Sequence, residues 1–430
     1  MAMASGKQDL GTPFWMSRNC LRNIMKTRVE DLALFDGTSS FHEKLHVGRP
    51  NIGDRAHLLD RINDMLDRNW LSNGGPFVQE FEQRIAELSG TKHCIAMCNA
   101  TIALEIAIRA LGLTGEVLVP SFTFIATAHA LQWQEITPVF CDIDPVTHAI
   151  DPRAVERMIT PRTTGVIGVH VWGHPCPVES LAEIATRHNL RLMFDGAHAL
   201  GCSHRGQLIG SFGDATIFSF HATKFCNAFE GGAVVTNNDD LAAKIRLMKN
   251  FGFAGYDNVI YIGTNGKMTE VSAAMGLTSL DSLGGFIATN RANYEHYLQE
   301  LSSVPGLRLL TYDTTEERNY QYVVLEINEA EIKVSRDVVM QALWAENVLV
   351  RRYFYPGCHR MEPYRSYFPN AGLLLPVTEE IAARVLVLPT GSAVGAEEVQ
   401  TICDLIKLVV ANGRLVQAKV NATALNTVNI

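Results

Sequence analysis

Short apolar runs alternate with helical patterns through the first half of the chain, and this alternation restricts the fold more than any other feature. The strand-like runs, rich in β-branched and aromatic residues, are Glu116–Pro120, Thr137–Ile143, Thr164–His170, Arg191–Asp195, Thr216–Phe220 and Gly232–Asn237. Helical patterns lie between several of them, at Thr101–Leu111, Phe124–Trp133 and Val178–His188. Near-continuous apolar strands joined by helices predict an α/β fold with a mostly parallel sheet covered on both faces.

The second half of the chain predicts a smaller domain. A long helical stretch runs from Met268 to about Val304 with a break near Gly284–Gly285, and a late helix covers Ala396–Val410. Strand-like segments occupy residues 319–327 and 346–354. We therefore expect an N-terminal arm (1–46), a large domain (47–290), a small C-terminal α/β domain (291–413) and a tail (414–430). Position and polarity predict that both ends are arms or disordered.

Composition narrows the functional classes. The formal net charge of -8 over 430 residues argues against binding to nucleic acid or to a membrane surface, and no apolar run has the length of a membrane span. The N-terminus lacks the apolar core of a signal peptide, and nine scattered cysteines indicate reduced thiols, so we expect a cytoplasmic protein. Cys94 and Cys98 have no second pair to complete a metal site, so we assign them to core packing and predict no metal.

Polar groups follow several predicted strands, where an open α/β sheet binds ligands. Asp195 ends one strand, and Ser219 and Lys224 lie at and just past the end of another. The segment Cys98–Thr101 opens a helix, whose free N–H groups and the Thr101 hydroxyl form an anion site. A lysine nucleophile, a buried acid and a phosphate site are the groups that a pyridoxal phosphate (PLP) enzyme requires.

From about Val47 to Val410, the chain resembles the PLP-dependent sugar-nucleotide aminotransferases of the DegT/StrS type. Motifs in the family's order carry the resemblance: GRPNIG, CNATIALEIAIRALGL, VPSFTFIATAHAL, FDGAHALG, GSFGDATIFSFHATK, EGGAVVTN and GTNGKMTEVSAAMG. Such an ordered set is far more specific than a lone glycine pattern. The resemblance implies an aspartate-aminotransferase-like large domain (PLP fold type I), a smaller C-terminal domain and pyridoxal 5'-phosphate as cofactor.

The resemblance also implies a role for each motif residue. Lys224 would form the Schiff base with the cofactor, and Asp195 would keep the pyridinium nitrogen protonated. The other implied contacts are His198 near the phenolic oxygen, Phe124 on the pyridine face, Ala100, Thr101 and Ser219 at the phosphate, Asn265 or Lys267 at the phosphate from a partner chain, and Tyr353 and His359 facing the sugar. Gly196 and Gly266 stand where the family usually has Ala and Tyr, and the second departure leaves the partner-chain contact open.

Structural interpretations of the same residues stay open on sequence alone. Lys224 could extend from a core strand to solvent, and Asp195 could be a satisfied buried acid or a helix cap. An aromatic residue on an apolar helical face, such as Phe124, is usually core, and a lone histidine such as His198 is more often structural.

The activity implied by the resemblance is ping-pong transamination. L-Glutamate would donate the amino group and a keto-sugar nucleotide would accept it, with Lys224 as nucleophile and then as general acid–base. Segments 45–86 and 250–271 look most like enzymes that aminate dTDP-4-keto-6-deoxy-D-glucose for glycosylated natural products. A 3-keto-sugar acceptor and a non-catalytic PLP-binding regulator stay open as alternatives, although no basic patch supports a regulator.

A homodimer with shared active sites is a further expectation. The segment Gly263–Glu270 resembles one that reaches into the neighbouring subunit's site. The glycine-rich loop after Trp70 would expose this tryptophan in a single chain. A two-fold interface would cover both loops.

Overall fold

A computed structural model of the chain describes residues 25–428, with side chains through residue 422. Most of the predicted N-terminal arm, residues 1–24, lies outside the described residues.

A seven-stranded sheet forms the centre of the large domain. Its strands are β1 His93–Met97, β2 Glu116–Pro120, β3 Thr137–Cys141, β4 Thr163–Val169, β5 Arg191–Asp195, β6 Ala215–Ser219 and β7 Gly232–Thr236, in the spatial order β1-β7-β6-β5-β4-β2-β3. Strand β7 is antiparallel to both β1 and β6, and every other pairing is parallel. The predicted α/β fold with a mostly parallel sheet is confirmed.

Fifteen α-helices lie within residues 25–428, and those in the first half of the chain connect and cover these strands. They are α1 Arg55–Asp67, α2 Pro76–Ser89, α3 Ala100–Ala110, α4 Ile125–Gln132, α5 Pro152–Met158, α6 Val178–Arg187, α7 Asp239–Met248, α8 Glu270–Asp281, α9 Leu283–Leu301, α10 Glu329–Ile332, α11 Arg336–Ala345, α12 Tyr364–Tyr367, α13 Pro376–Arg384, α14 Ala396–Ala411 and α15 Gly413–Val428. The predicted break in the long helical stretch lies at Ser282, slightly before the two glycines, and α8 and α9 meet there at an angle of 59°.

Parallel strands bring their carboxyl ends to one edge of the sheet, and this edge positions the site. Strands β5 and β6 end there at Asp195 and Ser219, and β1 leads there into α3. Asn99 caps α3 by accepting a hydrogen bond of 2.8 Å from the Ile102 N–H. The cap satisfies the Ile102 N–H, while the N–H groups of Ala100 and Thr101, at the start of the helix, have no partner inside it.

The small domain has its own antiparallel sheet, composed of β8 Leu307–Leu309, β9 Val323–Ile327 and β10 Val385–Leu388, with β9 in the centre. The predicted strand at 346–354 is reduced to Val348–Leu349, which pairs in parallel with Leu45–His46. Past this point the chain turns towards the large domain. Two further short pairs are Ser203–His204 with Gln207–Leu208 and Phe253–Gly255 with Asn258–Val259.

The described part of the N-terminal segment, from residue 25 to residue 46, packs against the small domain. Val29, Leu32, Phe41 and Leu45 are buried in the core of the small domain. Glu346 holds this segment, because its carboxylate accepts hydrogen bonds from the Lys26 ammonium and from the backbone N–H groups of Ala33 and Ser40.

The end of the chain after Gly413, expected to be an arm or disordered, forms α15 through the described residues. Val416 is fully buried against the small-domain core. Val416 and the partly buried Val420 pack the helix against this core, a contact that position and polarity do not reveal.

No single helix among residues 25–428 is long and apolar enough to cross a membrane. The pair α8 and α9 meets the length and hydropathy criteria only when the two bent helices are taken together.

Candidate active site

A cavity of about 360 Å³ opens at the carboxyl edge of the large sheet. Eight of the residues predicted for the site line it: Lys224, Asp195, His198, Ala100, Thr101, Phe124, Ser219 and Tyr353. They come from five separate chain segments, and the edge of the sheet brings them together.

Lys224 lies in the turn that follows β6 and extends its amine into the cavity. The Nζ atom donates a hydrogen bond of 3.3 Å to the hydroxyl of Tyr322. Burial lowers the pKa of Lys224 to about 8, although the negative charge of Asp195 opposes this shift. At pH 7 about a tenth of the amine is therefore neutral, far more than for an ordinary lysine, and the neutral amine is the nucleophile.

Asp195 is buried at the end of β5, and its carboxylate is held on both sides. Oδ1 accepts a hydrogen bond from the Ala197 N–H at 3.1 Å, and Oδ2 accepts one from the Thr127 hydroxyl at 2.8 Å. Burial raises the pKa of Asp195, whereas these hydrogen bonds and the Lys224 charge favour the ionised form. The carboxylate is thus fixed in direction, and an oxygen can face a cationic ring nitrogen.

His198 is neutral and has a defined tautomer. Burial, with the Lys224 charge as a smaller cause, holds its pKa well below the usual value. Its Nδ1 accepts a hydrogen bond of 3.2 Å from the Trp172 N–H, so the ring proton lies on Nε2. The rings of Trp172 and Phe354 stack on the imidazole at centroid distances of 6.2 and 5.8 Å. This packing fixes the ring as a hydrogen-bond donor.

The start of α3 and the end of β6 form an anion site. The unpaired N–H groups of Ala100 and Thr101 lie with the Thr101 and Ser219 hydroxyls along the cavity wall. Strand β7 passes so close that a Cβ at Gly232 would lie 2.4 Å from the Ala100 nitrogen. A glycine at this position therefore lets the strand and the helix start converge.

Gly196 fits its position, where the resemblance implies that alanine is usual. A Cβ there would lie 2.8 Å from the Thr216 methyl group and 3.1 Å from the ring of Phe218. The chain next to Asp195 is therefore packed too tightly for an alanine without some adjustment.

Phe124 and Tyr353 stand on the open side of the cavity. Phe124 is the N-cap residue of α4, and 58% of its surface is exposed. It is therefore not a core residue, although an apolar helical face would usually place it in one. Tyr353 is half-buried and stacks on Phe354 at 5.4 Å.

His359, expected to face the sugar, does not line the cavity. It is 2% exposed, and both ring nitrogens are engaged: Nδ1 with the Ser121 hydroxyl and Nε2 with Glu379, each at 2.7 Å. This placement corrects the expectation, since the imidazole connects the loop after β2 to α13 and has no nitrogen free for a ligand.

Asn265 and Lys267 also lie outside the cavity of their own chain. The segment runs beside the end of β1, where the Cys98 N–H donates to the Gly266 carbonyl at 2.9 Å. Lys267 Nζ donates to the Asn250 side chain at 3.1 Å, and Asn265 is exposed. A contact across a dimer is the role left for these residues, and it stays a prediction.

Sequence reasoning missed three residues of the site, namely Thr127, Tyr322 and Arg351. Thr127 orients Asp195, Tyr322 contacts Lys224, and Arg351 lines the cavity. The position of Thr127 one helical turn after Thr123 was a usable signal, because both hydroxyls lie on one face and are 3.0 Å apart. Tyr322 and Arg351 belong to the small domain, and no local pattern marks their approach.

The residues present fit pyridoxal phosphate. The cavity contains an amine of lowered pKa, a fixed carboxylate, a neutral imidazole donor and an anion site. Lys224 would hold the cofactor covalently, Asp195 its ring nitrogen, His198 its phenolic oxygen, and the start of α3 with Ser219 its phosphate.

Comparison with known proteins gives the same picture. The sequence model of the DegT/DnrJ/EryC1/StrS aminotransferase family matches residues 53–407. The dTDP-4-amino-4,6-dideoxy-D-glucose transaminase of Shigella dysenteriae is 35% identical over 365 residues, which are 84% of this chain and 98% of that protein. The GDP-perosamine synthase of Caulobacter vibrioides is 34% identical over 364 residues, with 84% and 96% covered.

Among solved structures, the chain is similar to DesI, whose crystal structure was analysed in the presence of its TDP-sugar product. The identity is 52%, the TM-score is 0.88, and the match covers 91% of this chain and 99% of DesI. The structure of S. venezuelae DesV in complex with a ketimine intermediate matches with 30% identity and a TM-score of 0.77, covering 83% of this chain and 95% of DesV.

Proposed function

The chain belongs to the DegT/DnrJ/EryC1/StrS aminotransferase family, and from this membership we propose that it transfers the amino group of L-glutamate to dTDP-4-keto-6-deoxy-D-glucose. The product would be dTDP-4-amino-4,6-dideoxy-D-glucose, an intermediate for aminosugar biosynthesis in a natural product. The family match and the curated relatives make the chain a PLP-dependent aminotransferase of nucleotide sugars.

The likeness to DesI carries the choice of a TDP-linked sugar. The two chains share 52% of their residues over nearly their whole length, and DesI was crystallised with a TDP-sugar as its product. The transaminases of Shigella dysenteriae and Escherichia coli, at 35% and 34% identity, bear a dTDP-4-amino sugar in their names.

Lys224, Asp195 and Tyr322 have separate roles in the proposed transamination. When bound, pyridoxal phosphate supplies an electron sink that makes the α-proton of the amino donor acidic. The Lys224 amine would carry this proton at Nζ. The charge of Asp195 would favour a proton on the cofactor's ring nitrogen. The Tyr322 hydroxyl limits the directions in which the Lys224 amine can point.

We also infer a homodimer with shared sites, and exposed apolar side chains support it. Tyr256, Ile262 and Val259, in and beside the short hairpin 253–259, are 101%, 75% and 56% exposed in the single chain. Trp70 is 47% exposed, as expected from the sequence. A surface patch of this kind indicates a protein contact. The hairpin leads directly into the segment with Asn265 and Lys267.

A substrate panel tests the proposal. The enzyme is incubated with L-glutamate and one of three acceptors: dTDP-4-keto-6-deoxy-D-glucose, a GDP-linked 4-keto-6-deoxy sugar, or a dTDP-linked 3-keto sugar. Formation of 2-oxoglutarate is followed, and NMR locates the new amine on the sugar ring. The proposal requires the first acceptor to give the highest kcat/KM.

A GDP-linked sugar is the second candidate, because three relatives at 31–34% identity are GDP-perosamine synthases. A higher kcat/KM for the GDP-linked acceptor would select it. Amination at carbon 3 of the dTDP-linked acceptor would select the 3-keto alternative.

A further inference from the structure

Arg351 is the only arginine among the described residues that line the cavity. Its side chain is exposed, and no carboxylate in the described part of the chain forms an ion pair with it. Lys224 also lines the cavity, but its amine would be bonded covalently to the cofactor. The ring of His221 lies 3.5 Å from Glu230, which offsets its charge when it is protonated.

The backbone of Arg351 is fixed although its guanidinium is free. Its N–H donates to the Val387 carbonyl at 3.1 Å, and its carbonyl accepts from the Val387 N–H at 2.8 Å. Arg351 and Tyr353 line the cavity, whereas Arg352 lines only the adjoining cleft and donates to Asp337 at 3.1 Å.

The position of Arg351 separates it from the anion site at the start of α3. Arg351, Phe124 and Tyr353 line both the cavity and an adjoining cleft. Ala100, Thr101 and Ser219 line the cavity alone. The Arg351 guanidinium carbon lies 5.2 Å from the centre of the Tyr353 ring, which supports the cation from one side. The arginine therefore stands where the cavity meets the adjoining cleft.

We propose that Arg351 binds an oxyanion of an incoming substrate, either the carboxylate of the amino donor or the diphosphate of the sugar nucleotide. The inference rests on the proposed function, because both co-substrates of that reaction are anions. A guanidinium offers two parallel N–H donors that match either group, and its charge persists at every physiological pH.

Equilibrium binding to the holoenzyme tests this role without turnover. Calorimetry measures the affinity for glutarate, a dicarboxylate without the amine, and for dTDP and GDP, diphosphates without the sugar. The variants are Arg351→Gln, which removes the charge, Arg351→Lys, which keeps the charge without the fork, and Arg352→Gln as the neighbouring control. Visible absorbance gives the cofactor dissociation constant, and the melting temperature reports folding.

We expect Arg351→Gln to weaken one class of probe by about 10- to 100-fold, the effect of losing a charge-assisted hydrogen bond. Arg351→Lys should lose part of this affinity, and Arg352→Gln none. Loss of glutarate binding identifies the donor carboxylate, and loss of nucleotide binding identifies the diphosphate. If Arg351→Gln does not fold, Arg351→Lys decides the question with the same probes.

The inference is overturned if the Arg351 variants bind every probe like the wild type, if wild type binds no probe, or if Arg352→Gln has an equal effect. It is also overturned if the main loss is in affinity for the cofactor. Arg351-dependent binding together with no amination of any acceptor would count against the proposed substrate alone.

Discussion

The hydroxyl of Tyr322 lies 3.3 Å from the Nζ of Lys224, which joins the residue just before β9 to the amine in the turn after β6. Residues about one hundred positions apart in the chain thus share one hydrogen bond at the centre of the cavity.

Removing this hydroxyl should slow catalysis without changing the fold. In Tyr322→Phe the Lys224 amine loses a partner that restricts its direction, so we expect kcat to fall about 10-fold, equivalent to about 1.4 kcal/mol, with little change in KM. Steady-state kinetics measure this. The control is Tyr320→Phe, since Tyr320 packs on Tyr294 and Tyr312 and does not line the cavity. Equal losses in both variants would assign Tyr322 to packing.

Covalent attachment of the cofactor should follow the ionisation of Lys224. The neutral amine is the nucleophile, so the rate at which apoprotein binds PLP should rise with pH and level off above about 8, the lowered pKa. Stopped-flow absorbance measures this rate. A midpoint near the ordinary lysine value of about 10.4 would contradict the lowered pKa. Borohydride should fix the cofactor to the Lys224 peptide, and Lys224→Ala should abolish both fixation and turnover.

Replacing Asp195 by asparagine should have two separable effects. Without the carboxylate charge the ring nitrogen loses its ionic partner, so the proton-transfer rate should fall by ~10²–10³-fold while the cofactor stays bound. The same charge raises the pKa of Lys224, so its removal should move the attachment midpoint below about 8. Single-turnover absorbance with glutamate measures the first effect. Near-normal rates would show that Asp195 is structural.

His359→Gln should affect stability and leave substrate binding intact. The substitution disturbs buried hydrogen bonds to Ser121 and Glu379, which we expect to cost about 1–3 kcal/mol of unfolding free energy. Urea unfolding and the KM for both substrates are compared with those of His57→Gln, a change at an exposed histidine. A raised KM at unchanged stability would restore His359 to the substrate site.

Shared active sites predict complementation between two inactive variants. Lys224→Ala chains are mixed and refolded with chains changed to alanine at both Asn265 and Lys267. Some heterodimers would then contain one site with neither defect, so activity should return. Sedimentation confirms that heterodimers form. An active monomer, or heterodimers without activity, would exclude sites built from two chains.

The parts of the fold carried by local patterns could be predicted, and the parts set by distant contacts could not. Apolar runs located six of the seven large-sheet strands within one or two residues. Strand β1, His93–Met97, was missed because its apolar run is short and its Cys94 was considered only as a metal ligand or a packing residue.

The same distinction applies to the site. Lys224, Asp195 and Ala100–Thr101 follow from strand ends and a helix start, which are local features. Tyr322 and Arg351 enter the cavity only because the small domain packs against the sheet edge. His359 was misplaced for the same reason: its motif lies close to Tyr353 in sequence, yet the chain turns at Gly357, and the imidazole faces Ser121.

The small-domain core contains Phe41 and Leu45 from one chain end and Val416 from the other. During synthesis, Phe41 and Leu45 leave the ribosome before most of their packing partners have been made. The large domain can fold before the small-domain core does, because this core can form only after nearly the whole chain has been made. Truncation that removes Phe41 and Leu45, or Val416, therefore exposes the same apolar surface.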